Sequence, residues 1–322
     1  MGLRWWSEGG STAHVALDHY ISQVHLKQFL SQTDKKLLLA ARKSDLSVFT
    51  PRPRDVCRVE DGSTNQYLTD NRAVEKFLLE IEPAYDACLA RVAAGELDWN
   101  ARQVFSGFLA YIQTYTPAAV RMFDPMPRAI IERVAKSLED SGDLEPISIP
   151  ELPDWHGKTM SQLSKEGKVK LNIDLKMPQA MATTQLLKIR YSLASSDITV
   201  LRPSGRGRFL TSDFPSVILT HYQNKYAQRL LPISPKLGLV FHTHTSFEQR
   251  EKVTNRFVNI GDRQTQAIND KIIKAAENLV FSTHKYPWLL DKVKQFRKYR
   301  VESVVETVGP LIISQQRAVE TA

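Results

Sequence analysis

Cysteine is scarce in this chain, and long apolar runs are missing from it. The two cysteines among its 322 residues, Cys57 and Cys88, lie far apart, and neither belongs to a CxxC pair. So few cysteines exclude a disulfide-rich scaffold and a cysteine-rich zinc site, and they fit packing residues in a reduced compartment. No apolar run approaches the roughly 18 residues that a membrane-spanning helix needs. These absences predict a cytoplasmic protein with no membrane partner.

Nucleotide-binding signatures, internal repeats and low-complexity tracts are also missing. The glycine-containing segments match neither the Walker pattern, which needs a lysine and serine, nor the dinucleotide pattern of three spaced glycines before a helix. Hydrophobic residues make up 42% of the chain and charged residues 24%, which is typical of a folded protein. A chain of this length buries a substantial core, and its length leaves the number of domains open.

The charge of the chain is strongly positive. The net charge is +8 and the sequence pI is about 9.3. Between Lys285 and Arg300 there are six basic residues and one acid. This balance favours solubility in any case, and it also suggests nucleic acid as a partner.

Periodicity along the chain predicts an α+β protein, with a helical N-terminal half packed against a small, mainly antiparallel sheet in the C-terminal half. The predicted regions are a flexible arm (1–17), a helical region (18–142), an irregular connector (143–178), a mixed helix and antiparallel sheet region (179–284), and a basic C-terminal helix and tail (285–322). The oligomeric state is left open.

The helical prediction rests on apolar residues that recur at three and four positions from Val74 to Val92. Pro83 is expected to break that helix, Gly95 to end it, and Asp98 to cap the next one. Elsewhere we predict a short amphipathic helix from Asp18 to Ser31, a helix over 179–193, strands within 198–242, a helix over 265–278, a strand over 279–282 and a terminal helix over 288–300.

Two short segments carry candidate catalytic groups. His19, in Asp18-His19-Tyr20, has a side chain whose ordinary pKa suits a general base, although a lone histidine more often caps or packs. Asp213, in Thr211-Ser212-Asp213-Phe214-Pro215, is a carboxylate among hydroxyl groups, which suits metal binding or proton transfer. The same sequence is also typical of a turn. His14 and His25 are weaker candidates.

Other segments suggest ligand binding. Arg206 and Arg208, in Gly205-Arg206-Gly207-Arg208, could grip phosphate with their guanidinium groups and nearby amides, or belong to a basic hairpin turn. The cations of the terminal helix could neutralise phosphates or face solvent. His242 and His244 share one face of a strand, but no further ligands with metal-site spacing accompany them, so a zinc site is the less favoured interpretation.

Several of these segments occur in an order that resembles a known family. The motifs are His19-Tyr20-Ile21 with Leu26 and Phe29, Ile81-Glu82, Gln113 with Thr116-Pro117, Phe209 to Pro215, Leu231 to Pro235, and Asn269. Together they are similar to the bacterial domain-of-unknown-function family 4238, from about residue 18 to 284. The chain has Ser22, Tyr115 and Phe214 where that family usually has proline, arginine and asparagine.

The resemblance implies no activity, but it implies a set of polar residues that recur in an apolar framework: His19, Glu82, Gln113, Asp213 and Asn269. Buried polar groups need partners, so we expect these five to converge in space. Our hypothesis is a nuclease that hydrolyses RNA or DNA, with Glu82 and Asp213 holding Mg²⁺ or moving protons and His19 as the base. A toxin or phage-defence role is an analogy for such a nuclease.

In this hypothesis the substrate is bound by the polar and basic side chains of Gln113, Thr211, Ser212, Arg206, Arg208 and Asn269. Two alternatives stay open. One is a non-catalytic binding or effector module in which the polar set is a structural network. The other is a nucleotide sensor, which thermal shift with nucleotides would reveal.

Overall fold

The computed structural model describes residues 17–220, 226–244, 253–309 and 311–321. The predicted arm therefore lies outside the described residues apart from Leu17, as do His14 and the side chain of His244. The α-helices are α1 Gln23–Lys27, α2 Ala73–Ile81, α3 Tyr85–Ala94, α4 Trp99–Tyr115, α5 Pro117–Phe123, α6 Pro125–Ser141, α7 Met160–Lys165, α8 Lys176–Thr184, α9 Leu186–Ala194, α10 Asp262–Ala275 and α11 Leu289–Gln295.

The strands form four sheets. They are β1 Leu17–His19, β2 Leu39–Arg42, β3 Val48–Phe49, β4 Arg58–Glu60, β5 Asp197–Pro203, β6 Thr211–Ser212, β7 Val217–Thr220, β8 Tyr226–Ser234, β9 Leu237–His244, β10 Asn255–Ile260, β11 Leu279–Ser282, β12 Tyr299–Val308 and β13 Leu311–Glu320. The largest sheet has the order β10-β5-β9-β8-β7, a second has the order β3-β2-β11-β6, and β1-β4 and β12-β13 are two-stranded.

The α+β class is confirmed, and three of the four pairings in the five-stranded sheet are antiparallel, but the strands go beyond the small, mainly antiparallel C-terminal sheet that was predicted in two respects. The five-stranded sheet is mixed, because β10 pairs with β5 in parallel. Strands also occur in the N-terminal half, where β2 pairs with β11 from the far end of the chain. These pairings join segments distant in sequence, and local periodicity carries no information about such partners.

Helix boundaries in the first half lie at the residues that were predicted to end or begin helices. Pro83 lies in a 3₁₀ turn, Glu82–Ala84, between α2 and α3, and Gly95 ends α3 with a φ of 104°. Asp98 caps α4 by accepting a hydrogen bond from the Ala101 amide at 2.7 Å. The predicted helix over 18–31 is much shorter, since β1 precedes it and α1 covers five residues only. The helix predicted over 179–193 is two helices, α8 and α9.

Helix α4 lies at the centre of the core. Most of its residues are buried, and it packs against α2, α3, α5, α8 and α9. A helix that is apolar on nearly all sides belongs inside a fold. Its one buried cation, Arg102, donates through Nε to the carbonyl of Ala194 at 2.8 Å and so satisfies the end of α9. The buried hydrophobic residues form one core cluster, whose first member in the sequence is Ile21 and whose last is Val301.

The C-terminal region differs from its prediction. The helix expected over 288–300 ends at Gln295, and the expected tail is the antiparallel hairpin of β12 and β13. Valines at 301, 304, 305 and 308 favour strand over helix, because branching at Cβ fits a pleated strand. None of the helices in the described part of the chain is long and apolar enough to cross a bilayer.

Candidate functional site

Asp213 is a structural anchor in the fold. It follows β6, and its carboxylate faces the turn between α10 and β11. Its Oδ1 accepts a hydrogen bond from the Glu277 amide at 2.9 Å, and its Oδ2 accepts bonds from the amides of Asn278 and Leu279 at 2.8 Å each. The side chain is 3% exposed. Three backbone donors therefore occupy the oxygens that a metal ion would need.

Lys43 holds the same turn from its other side. Its Nζ donates to the carbonyls of Ala276 at 2.6 Å and Tyr299 at 2.7 Å. Burial lowers the pKa of Lys43 to about 8, while the charges of Asp213 and Glu277 favour its ammonium form. Burial likewise raises the pKa of Asp213 to about 6, against the three amides and Lys43. Together, Asp213 and Lys43 bond three amides and the Ala276 carbonyl in the turn between α10 and β11.

Glu82, the second predicted metal ligand, has a different partner. Its Oε1 accepts a hydrogen bond from the Ser22 hydroxyl at 2.5 Å. Among the described residues no group of three or more histidines, cysteines or carboxylates is placed to hold a metal ion. The Mg²⁺ site therefore stays a prediction that the placement of Asp213 does not favour.

His19 is the predicted residue with a spare ring nitrogen. Its Nε2 is buried and has no hydrogen-bond partner among the residues that the structure describes. Burial lowers the pKa of His19, while the carbonyls of Arg54 and Pro53 and the charge of Glu82 favour its protonated form. The backbone carbonyl of His19 accepts a bond from the Tyr111 hydroxyl at 2.8 Å. The charge of Arg58 disfavours the protonated form, and its effect on the pKa of His19 is larger than that of Glu82.

The remaining predicted residues have separate partners. Asn269, on α10, accepts through Oδ1 from the Leu210 amide at 3.0 Å and donates through Nδ2 to the Arg208 carbonyl at 2.9 Å. Ser212 accepts from the Phe214 amide at 3.2 Å, and Gln113 donates to the Ser216 hydroxyl at 3.4 Å. The five recurring polar residues therefore share no common partner. Asp213 and Asn269 hold backbone instead.

His25, which the sequence offered only as a weaker catalytic candidate, is a fully buried polar residue. Its Nδ1 lies 2.9 Å from the Tyr85 hydroxyl, and its Nε2 lies 2.8 Å from the Thr211 hydroxyl. Its ring also packs on those of Phe29 and Phe108. Burial lowers the pKa of His25 to about 3, so the ring is neutral near pH 7. The only sequence signal is its place beside Leu26 on the buried side of a short helix.

An open cleft of about 820 Å³ lies at one end of the five-stranded sheet. Its walls are residues 28–32, α3, the turn between β8 and β9, and the adjacent ends of β5 and β10. Its cations are Arg202, Arg208 and Lys236. Its one carboxylate, Asp86, already accepts a hydrogen bond from Gln28 Nε2 at 2.8 Å. The cleft is therefore a positively charged concave surface.

The three cations differ in how they are held. Arg202 donates to the Val92 carbonyl at 3.0 Å, and its guanidinium group lies 4.6 Å from the centre of the Phe257 ring. Arg208 donates through Nη1 to the carbonyls of Gly205 at 2.9 Å and Gly207 at 2.6 Å, and its Nη2 and Nε make no hydrogen bond within the described part of the chain. Lys236 is exposed, and its ammonium makes no hydrogen bond or ion pair to described residues. The cleft thus keeps donors for a ligand.

The 205–208 loop differs from its prediction in one respect. The amide of Gly207 donates to Asp262 Oδ1 at 2.6 Å, so it is not free to grip phosphate. A Cβ at Gly205 would lie 2.3 Å from the same oxygen, and this close approach explains the glycine. Arg206 is exposed at the tip of the loop. The side chains of Arg206 and Arg208, and not the Gly207 amide, are the donors that this loop offers.

A family model described as "Protein of unknown function (DUF4238)" matches residues 18–286. The chain belongs to the DUF4238 family. The match contains every predicted site residue and the whole cleft, and it ends before the hairpin of β12 and β13. Comparison with curated proteins and with solved structures gave no match.

This DUF4238 member departs from the resemblance at Ser22, Tyr115 and Phe214, and of these the buried hydroxyl of Tyr115 has no hydrogen-bond partner among the described residues. Ser22 caps α1 by accepting from the Val24 amide at 3.4 Å, besides donating to Glu82. Tyr115 stacks on Tyr111 with ring centres 6.0 Å apart, and Phe214 is fully buried. These substitutions serve packing and capping in this chain.

The predicted basic helix is partly neutralised in this DUF4238 member. Lys292 Nζ lies 2.8 Å from Asp270 Oδ2, and Arg300 pairs with Glu302. Arg297 donates to the Ser44 carbonyl at 2.9 Å. Fewer of its cations remain for a ligand than the sequence suggests, and the cleft is the better candidate surface.

Proposed function

We propose that this protein is a non-catalytic binding module for a phosphate-bearing ligand, with nucleic acid as the leading candidate. The observation that carries the proposal is the cleft, where Arg202, Arg208 and Lys236 surround a space whose one carboxylate is already hydrogen-bonded. Guanidinium and ammonium groups are the usual protein partners of phosphate. The net charge of +8 adds a long-range attraction for the same ligand.

The metal-dependent nuclease of the sequence hypothesis has less support. Mg²⁺ takes carboxylate oxygens together with waters, so its ligands must be open on one side. The oxygens of Asp213 instead face three backbone amides in the interior. The Nε2 of His19 has no hydrogen-bond partner among the described residues, so the catalytic alternative can be tested at this residue.

Equilibrium binding of labelled single-stranded RNA, single-stranded DNA and duplex DNA, followed by fluorescence anisotropy at several salt concentrations, tests the proposal. Three cations that contact phosphates of a single strand give a slope of about −2 in a plot of log K against log salt. Lys236→Glu should weaken binding at low salt and make that slope shallower. Lys188→Glu, the same charge change on the exposed side of α9, is the matched control and should bind nearly as the wild type does.

The same samples distinguish the catalytic alternative. Incubation with Mg²⁺ or with EDTA, followed by gel analysis, should leave the nucleic acid intact. Cleavage that disappears in His19→Ala, with binding retained, would instead favour a nuclease. Equal binding by wild type and Lys236→Glu at every salt concentration would remove the cleft as the site.

A further inference from the structure

Three aromatic rings follow β11 at alternate positions. The rings of His284 and Tyr286 have centres 5.5 Å apart at 34°, and those of Tyr286 and Trp288 have centres 5.0 Å apart at 21°. The segment that carries them begins at Thr283, which lines the cleft. A row of one tilted and one stacked ring pair thus follows directly after a residue that lines the cleft.

A second cavity, here called the ring pocket, lies between the rings of Tyr286 and Trp288, the 206–208 part of the loop and the first turns of α10. It has a volume of about 200 Å³, and its lining includes Arg206, Arg208, Gln266, Tyr286 and Trp288. At about 30 Å³ for each water in the liquid, this volume corresponds to about seven waters. It is therefore suited to one small planar group and is too small for a folded partner.

Polar atoms in the ring pocket remain available. The hydroxyl oxygen of Tyr286 is buried and has no hydrogen-bond partner among the described residues. Burial raises the pKa of Tyr286, and the charges of Arg208 and Asp262 act on it in opposite directions. Gln266 donates through Nε2 to Asp270 at 2.9 Å, which leaves its Oε1 as an acceptor. The residues that line the pocket therefore include an unpartnered tyrosine hydroxyl and an amide acceptor beside an aromatic surface.

Arg208 lines both the cleft and the ring pocket. A ligand with a phosphate in the cleft therefore has a flat, partly polar pocket next to it. Nucleotides combine a phosphate with a planar base that stacks on aromatic rings and forms hydrogen bonds through its edge. In a duplex both faces of each base are already stacked, so only an unpaired base can enter such a pocket.

We infer that the ring pocket takes an unpaired nucleobase whose phosphate lies in the cleft, from a single-stranded nucleic acid or from a free nucleotide. This inference rests on the proposed function, because it assigns the base-recognising half of the same site. The contact of one base with an aromatic ring is expected to change affinity about 10-fold.

The test compares ligands with and without bases by competition against a labelled single strand, and its central pair, a base-bearing and an abasic strand, carries the same charge. They are a base-bearing strand, an abasic strand of the same length, the corresponding duplex, adenosine monophosphate and inorganic polyphosphate. The wild type should bind the base-bearing strand about 10-fold more tightly than the abasic strand. Trp288→Ala should remove that preference and leave polyphosphate binding unchanged.

Two further variants control for the fold. Trp288→Phe retains a ring and should keep part of the preference, which a simple packing defect would not predict. Trp99→Ala removes a tryptophan that is 50% exposed on α4, outside both cavities, and should bind as the wild type does. Circular dichroism of each variant verifies that it is folded.

The outcomes separate the two proposals. Equal affinity for base-bearing and abasic strands overturns the base pocket, while polyphosphate binding lost in Lys236→Glu still supports the cleft. Absence of binding to every ligand, polyphosphate included, overturns the cleft itself. Competition by adenosine monophosphate as strong as that by the strand, with the same dependence on Trp288, supports the base pocket and identifies a free nucleotide as its source.

Discussion

The buried polar residues around Asp213 and the cations of the cleft differ in how their hydrogen bonds are used. In the buried network, formed by His25, Lys43, Thr211, Asp213 and Asn269, the polar side chains bond backbone or one another. In the cleft, Arg208 and Lys236 keep donors that no described residue accepts. Buried polar residues can thus maintain the fold, while residues with unused donors remain for a ligand.

The largest expected effect is on the free energy of unfolding, which should fall for a substitution in the buried network and hardly change for one in the cleft. Asp213→Ala leaves three part-buried amides without their acceptor, and an unsatisfied donor costs about 1 to 3 kcal/mol where it is kept from water. We expect the free energy of unfolding to fall by at least about 3 kcal/mol, measured by denaturant titration. Lys236→Glu should change it by no more than about 0.5 kcal/mol. Similar losses in both variants would erase the contrast between network and cleft.

A second prediction concerns how the free energy of unfolding depends on pH, which is expected to reflect His25 of the buried network. The pKa of His25 is about 3 in the folded protein and about 6.5 in the unfolded chain, so its contribution is present above pH 6.5 and is lost as the pH falls towards 3. Between pH 7.5 and 5 the wild type should lose about 2 kcal/mol that His25→Gln does not lose.

Asp213 acts in the opposite direction. Its pKa is raised to about 6, so its contribution is present below about pH 4 and is lost as the pH rises through 6. The His25 effect is therefore measured as the difference between wild type and variant at each pH, from denaturant unfolding curves. Parallel pH profiles for the two proteins would contradict a neutral, buried His25.

The third prediction concerns Asn269, which links the two regions. Asn269→Ala removes two buried hydrogen bonds to the backbone at Arg208 and Leu210. We expect a loss of about 2 kcal/mol in unfolding free energy together with a severalfold weaker affinity for the single strand. Asn172→Ala, at an exposed position, should change neither quantity. A stability loss with unchanged affinity would show that the network does not position Arg208.

The smallest effect on stability is expected at Gly205. A methyl group there would push Asp262 away from the Gly207 amide, so Gly205→Ala should cost about 1 kcal/mol or less while it displaces Arg206 and Arg208. Binding, measured by anisotropy, should weaken. Gly261→Ala is the matched control, since its added Cβ meets no atom within 4 Å. Equal affinities of the two variants would show that the loop conformation does not matter for binding.

The sequence predicted features whose cause is local. Pro83, Gly95 and Asp98 act on their own few residues, and each ends or begins a helix as expected. The strand predicted over 279–282 is β11, because a short apolar run between polar residues suffices to mark it. Pairings across the chain, such as β2 with β11, depend on residues that no local window contains.

The candidate site was harder to predict for the same reason. Asp213 and Asn269 look like ligands in sequence, and only the fold shows backbone amides and carbonyls next to them. Arg208 was predicted to bind a ligand. Nothing in the local sequence around Arg202 or Lys236 indicated a binding role, and the fold alone brings these two residues to the same cleft as Arg208. Tyr286 and Trp288 resemble ordinary core aromatics until the loop that faces them is known.

The parallel pairing of β10 with β5 has a consequence for how the protein folds. β6 to β9 lie between these two strands in the sequence, so the pair forms only after a long loop has closed. Such contacts slow folding, whereas the β8 and β9 hairpin needs only a short turn. Asn259 and Arg202, neighbours across that parallel pair, both line the cleft. Binding competence should therefore emerge late during refolding, after most of the helical signal has recovered.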